Sequence, residues 1–211
     1  MRLTKFGHAC VRLEKDGRGL VIDPGLMTPE AEALSGAEAV LVTHQHFDHF
    51  DPDRLRAAAA EHPDLAVYTC PGVALELPDL ADRVTVVRDG DTFSAAGFRV
   101  RAVGEKHHVS HPDVPPVDNV GFLVDDEVFH PGDALTLLDA PTLLFPGQAP
   151  WMTVPDLIAY LRKLSPGRAY AVHDGLLNAW GLQVLDGVLA SEAAGLGATI
   201  GRLAPGESVD L

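Results

Sequence analysis

Cysteine is nearly absent from the chain: Cys10 and Cys70 are the only two in 211 residues. Each falls in or at the end of an expected strand, and a lone pair without extracellular cues reads as two packed, reduced thiols rather than a disulfide. That points to the cytoplasm. No apolar run approaches the roughly 20 residues of a membrane-spanning helix, so a membrane protein is not expected. The opening Met1-Arg2-Leu3-Thr4-Lys5-Phe6-Gly7-His8 carries charge but no apolar stretch of signal-peptide length, so neither is export. Positive charge is scarce too: 16 Lys and Arg stand against 30 Asp and Glu, a net −14. Such a field repels polyanions, and nucleic acid is a poor partner. No repeat period or low-complexity tract is present. With 46% hydrophobic and 22% charged residues, the chain reads as one globular domain over residues 1–211.

What the sequence does hold is a dense run of donors. Thr43-His44-Gln45-His46-Phe47-Asp48-His49 follows the apolar Ala39-Val40-Leu41-Val42. Imidazole nitrogens and a carboxylate are the ligand set that suits zinc and neighbouring divalent metals. Residues at i and i+2 of an extended chain point the same way, so His44 and His46 can grip one ion. Asp48 and His49 are adjacent and diverge, which suits a second ion nearby, as in paired-metal hydrolases.

Around this run the chain reads as alternating strands and helices. The order is Arg2 to Phe6, Ala9 to Cys10 and on to Leu13, a turn at Asp16-Gly17, then Leu20 to Asp23, a meander punctuated by turn glycines. Asp23, at a strand end before Pro24-Gly25, is placed to orient a ligand imidazole. A helix starts at Pro52 behind the cap Asp51, with its positive end toward the site; that end would favour an anionic ligand by about 0.3–1 kcal/mol when exposed. Strands are expected at 66–70, 84–87, 98–103, 120–124, 127–130, 142–145, 168–172 and 199–203. A helix capped by Thr153 carries Val154, Leu157, Ile158 and Leu161 at helical spacing, and another is expected from about Leu176 to Ala194. Histidines recur where a strand yields to a loop, at His107, His108 and His111, and an ion held by His44 and His46 needs a third protein nitrogen plus an open position for water. Periodicity alone supports a mixed α/β class.

The run His44-Gln45-His46-Phe47-Asp48-His49 resembles the H-x-H-x-D-H signature of the metallo-β-lactamase superfamily of metal-dependent hydrolases. Gly7-His8-Ala9 with a later Asp-Pro strand end resembles the branch that includes ascorbate-phosphate lactonase. The resemblance covers nearly the whole chain in motif order and implies an αββα sandwich of two mixed sheets flanked by helices. It implies His107 as the third histidine of the first ion, with His111 as second choice. It also implies Asp133, after Pro131-Gly132, as the carboxylate bridging both ions, and His173, at the end of a strand, as completing the second ion with Asp48 and His49. His8 and His111 are further pocket candidates, and His130 matches no ligand position.

The activity so implied is hydrolysis by water activated between two divalent ions, with zinc the default and manganese or iron as alternatives, and with Asp48 passing a proton to the leaving group. The expected partner is a small ester, lactone or phosphodiester; the oligomeric state is open. A non-catalytic metal-stabilised scaffold, or a diiron redox protein on the same fold, is the alternative.

Overall fold

The structure, a computed structural model, describes residues 1–29 and 31–211. Its first strands, β1 (Arg2–Lys5), β2 (Val11–Lys15) and β3 (Arg18–Ile22), form an antiparallel meander. The β2–β3 turn is Asp16-Gly17, at φ 54° and 78°, the two positive angles that a two-residue hairpin turn matched to strand twist requires. β4 (Ala39–Val42), β5 (Ala66–Thr69) and β6 (Val84–Val86) then add in parallel. Parallel neighbours need crossovers. Helix α1 (Pro52–Glu61) supplies the one between β4 and β5; α2 (Pro71–Ala74) and a 3₁₀ segment at Pro78–Arg83 supply the next.

The second sheet opens with the antiparallel run β7 (Thr92–Ala95), β8 (Phe98–Val103), β9 (Gly121–Val124) and β10 (Val128–His130). It continues in parallel through β11 (Thr142–Pro146), β12 (Arg168–Val172) and β13 (Thr199–Arg202), with helices α3 (Val154–Leu164) and α4 (Ala179–Leu196) as crossovers. The last strand, β14 (Ser208–Asp210), returns to pair with β1. Two seven-stranded sheets result, ordered β14-β1-β2-β3-β4-β5-β6 and β13-β12-β11-β10-β9-β8-β7.

Strand alternation shows how the layers stack. Phe122 and Val124 of β9, Leu144 of β11 and Val172 of β12 join one core cluster with the buried β4 residues and with Leu55, Ala58 and Ala59 of α1. Their chain neighbours Leu123, Leu143, Phe145 and Ala171 point the other way, into a second cluster with Leu157 and Leu161 of α3 and Leu185 and Leu189 of α4. Period-two side chains therefore feed two apolar layers from one sheet. The result is the expected αββα sandwich, and each fully buried Leu or Phe contributes about 1.5–3 kcal/mol.

Among the strands and the longer helices, three elements differ from the sequence reading. Strand β7 was unanticipated because Thr92 to Ala95 is a half-exposed edge with little apolar content. Strand β14 was missed because Ser208-Val209-Asp210 is three residues long and mostly polar. Helix α4 begins three residues later than expected, at Ala179, where Asn178 accepts the Gly181 N–H as its cap. The displaced Leu176 is half exposed, at 53%. Among the described residues no helix is long and apolar enough to cross a membrane.

Candidate metal centre

The donor residues all follow strand ends. β4 hands the chain to Thr43–His49, β3 to Asp23, and β8, β10 and β12 lead to His107, Asp133 and His173. Two glycines allow the close approaches. A Cβ on Gly25 would lie 2.2 Å from the Asp48 carbonyl carbon and oxygen, so backbone meets backbone there and only glycine fits. Gly132, at φ +64°, would put a Cβ 2.3 Å from Asn119 Oδ1. Asn119 holds the Pro131–Asp133 turn from inside, donating to Pro131 O (2.9 Å) and accepting the Asp133 N–H (3.0 Å).

The turn brings the donors into two groups that could each hold a metal ion: His44, His46, His107 and Asp133, and His8, Asp48, His49 and His173, the donor atoms of each group lying within 4.8 Å of one another. All seven ligand positions expected from sequence meet here. Asp133 lies between the groups, with Oδ2 3.3 Å from His107 Nε2 and 3.1 Å from His173 Nε2, and Oδ1 3.2 Å from His49 Nε2. These contacts lack hydrogen-bond alignment. The Nε2 atoms of His49, His107 and His173 and Oδ1 of Asp133 are buried without a hydrogen-bond partner. Four such atoms converging on one spot are costly unless a cation satisfies them.

Outer partners decide which ring nitrogen faces inward. The His49 Nδ1–H donates to Asp23 Oδ2 (2.7 Å), that of His107 to His108 O (2.6 Å) and that of His173 to Gln148 O (2.6 Å). Thr43 Oγ1 donates to Asp23 Oδ2 (2.7 Å), so it accepts from His44 Nδ1 (3.0 Å). In all four histidines Nε2 is left with its lone pair directed at the centre. His44 Nε2 and His46 Nδ1 lie 3.0 Å apart. His8 is the reverse: its Nδ1 accepts the Gly175 N–H (3.0 Å), so Nε2 carries the proton and faces Asp48 Oδ2 at 3.2 Å. A protonated nitrogen has no lone pair for a metal. The His8 carbonyl also accepts the His173 N–H (2.7 Å), where the backbone turns through φ +59°.

Charge follows from this packing. Burial drives His44 well below its usual pKa and lowers His46 and His8. Burial also opposes charge on His49, but Asp133 and Asp23 outweigh it and raise that group well above the usual value. His173 behaves alike: Asp133 and Asp48 overcome its burial and lift it to about 9. Asp48 and Asp133 are both lowered although burial opposes it, Asp48 by the close approach of His173 and His8, and Asp133 by the His49 charge and the close approach of His107 and His173.

Other histidines stand apart from the donors. His111, a pocket candidate by sequence, is exposed, its ring accepts the Asp113 N–H (3.1 Å), and it belongs to neither group. His130 is buried and structural, accepting from Gly132 N (3.1 Å) and facing Ala9 O at 3.3 Å. Sequence reasoning missed Asn119 and Trp151. The Trp151 indole N–H donates to Asp133 Oδ2 (3.1 Å), and its ring packs near His107 and His108, with centroids 5.6 and 4.8 Å away. Its signal was its place directly after the Pro-Gly loop Pro146–Pro150.

A cavity of about 320 Å³ opens over the centre, lined by His46, Asp48, His107, Asp133 and His173 on its floor side, and by Phe47, Ser110, Pro150, Trp151 and Leu176.

A family model described as a beta-lactamase superfamily domain matches residues 2–165. Protein Rv0786c of Mycobacterium tuberculosis is 37% identical over 184 residues, 84% of this chain and 85% of that one. A UPF0173 metal-dependent hydrolase of Aeropyrum pernix is 38% identical over 80 residues, 36% of this chain and 33% of its own length. Igni18, a metallo hydrolase from Ignicoccus hospitalis, has the same fold, with a TM-score of 0.71 and 22% identity over 99% of this chain and 97% of that one.

Proposed function

We propose, from the premise that this chain belongs to the beta-lactamase superfamily and is a metal-dependent hydrolase, that residues 1–211 act as one hydrolase domain with a two-metal centre. His44, His46 and His107 hold one ion, Asp48, His49 and His173 the other, and Asp133 bridges them. Zinc is the ion that this nitrogen-rich donor set suits, with manganese or iron as alternatives. The observation that carries the reading is the set of four buried, partnerless atoms on His49, His107, His173 and Asp133. Divalent ions held there would supply a water acidified toward neutrality and stabilisation of developing oxyanion charge.

The residues of the chain then have separate tasks. Asp23 orients His49 directly and His44 through Thr43. His8, through its Nε2–H, fixes the direction of the Asp48 carboxylate and is a positioning residue rather than a ligand. Asp48 is held ionised and in this reading takes a proton from the attacking water and returns it to the leaving group. Trp151 holds Asp133 and forms one wall of the cavity. The substrate is a small ester, lactone or phosphodiester, and two free, buried cysteines accord with a cytoplasmic protein.

A panel of small esters, lactones and phosphodiesters tests this reading. Zinc-loaded protein is expected to hydrolyse a member of the panel, and chelation or His46→Ala to abolish it. A metal-loaded protein that turns over nothing, and merely melts earlier when chelated, would instead support a scaffold held together by metal.

A further inference from the structure

We propose that the non-reacting body of the substrate is uncharged and apolar, an alkyl or aryl ester or lactone rather than a phosphorylated or carboxylated one. The inference rests on the hydrolase reading above and narrows it.

The cavity wall carries the argument. Phe47, Pro150, Trp151 and Leu176 line it, and none of its lining residues is Lys or Arg. Phe47 is 61% exposed and Leu176 53%. Leu26, 57% exposed, is tied to the same rim by the bond from its N–H to Phe47 O (2.8 Å). Large apolar side chains gathered at the mouth of a cleft mark a surface that an apolar ligand covers. The volume, about 320 Å³, sits at the small end of the roughly 300–1,000 Å³ typical of small-molecule sites.

An anionic group beyond the reacting centre would find no counter-charge. The cations on neighbouring segments are committed elsewhere: Arg54 to Gly25 O, Thr28 O and Asp51, Lys106 to Asp118, and Lys5 to Asp174 in the interior. Helix N-termini could serve instead, and α1, α3 and α4 begin shortly after the lining residues Asp48, Trp151 and Leu176. All three are already capped. Asp51 Oδ1 takes the Asp53 and Arg54 N–H groups, Thr153 and Asp156 close a reciprocal box, and Asn178 takes the Gly181 N–H. The cap of α1 is itself a carboxylate, and Asp156 adds another in the first turn of α3, so the help to an anion expected from the start of α1 is cancelled on the spot. A phosphate like that of the substrate that names the ascorbate-phosphate lactonase branch has no cationic side chain to meet in this wall.

The test is a matched pair with one leaving group, p-nitrophenyl butyrate and p-nitrophenyl hemisuccinate, given to the zinc-loaded full chain. The neutral ester is expected to be preferred in kcat/KM by about tenfold or more, the range that an apolar pocket confers. Leu176→Arg, at an exposed position, is expected to shift that ratio toward the hemisuccinate with zinc content unchanged. The same order is read without turnover from calorimetric Kd values for butyramide and succinamic acid. Equal or better hydrolysis of the hemisuccinate would overturn the inference and leave the hydrolase reading standing. No turnover of either ester, with the neutral amide still bound more tightly, would overturn the hydrolase reading and keep the apolar pocket. No turnover and no preference would overturn both.

Discussion

The two donor groups share the neighbourhood of Asp133 but are held in opposite ways. In the first, His44 and His46 come from one strand end two residues apart, and His46 is half-buried, its ring 3.0 Å from His44 Nε2 and packed edge-on against His107 with centroids 4.8 Å apart. In the second, each member has its own tether from a distant segment: Asp48 from His8, His49 from Asp23 and His173 from Gln148. The backbone there is strained as well, with Asp23 and His173 at φ +52° and +59°. Such conformations cost on the order of 1–3 kcal/mol each and persist only where surrounding contacts over-determine them. Adjacency accounts for the His44–His46 pair within the first group; the second has no such pair and depends on long-range hydrogen bonds.

That contrast can be broken by substitution. The largest effect is expected from His46→Ala, which removes a donor from the first group and touches none of the tethers of the second. Hydrolysis should fall by more than the roughly 10–100-fold that outer partners control, while elemental analysis still finds one ion per chain. Loss of both ions would show that the groups are not separable.

Asp23→Asn comes next, because Asp23 serves both groups, accepting from the Thr43 N–H (2.8 Å), the Thr43 hydroxyl and His49. Both ions should bind about 10–100-fold more weakly, as read by competition with a chromophoric chelator. Weakening of one ion alone would refute a shared anchor.

A smaller and more selective effect is expected at His8. In His8→Asn the side chain can still accept the Gly175 N–H but falls short of Asp48, whereas Gln reaches further. The Asn variant should lose about tenfold in affinity for the second ion only, and the Gln variant should recover most of it. Equal loss in both variants, or any change at the first ion, would mean that the His8–Asp48 bond does not do what is claimed.

The smallest effect is in the protons. His49 and His173 are raised toward protonation in the metal-free protein, and a metal needs them neutral. Zinc uptake should therefore release protons, and affinity should climb with pH through the range near 9 in which His173 gives up its proton. Calorimetry in two buffers of different ionisation enthalpy measures this, and no buffer dependence would contradict it.

The same contrast explains what could be read from the chain beforehand. The His44–His46 pair was legible because its spacing is local: alternation on an extended chain aligns His44 with His46, and an apolar strand delivers them. His107, Asp133 and His173 were placed only through resemblance to a family, since nothing in their spacing says that three strand ends of a second sheet meet the end of β4. Asn119, the tautomer of His8 and the grip of Trp151 on Asp133 were not legible, because each depends on where a backbone N–H or a carboxylate oxygen ends up in space. Strands rich in Val and Leu were found; β7 and β14 were not, because edge strands need little apolar content to complete a sheet. His111 was misplaced for the opposite reason, since a histidine near a strand end looks the same in sequence whether it turns inward or outward.

Everything rests on two cations meeting in this cluster, and crystals soaked in zinc and measured across its absorption edge test that most directly. Two anomalous peaks are predicted on either side of the Asp133 carboxylate, one against His44, His46 and His107 and the other against Asp48, His49 and His173, with His8 Nε2 in contact with Asp48 and not with zinc. A cluster without anomalous density, or a single peak bound by His8, would contradict the account.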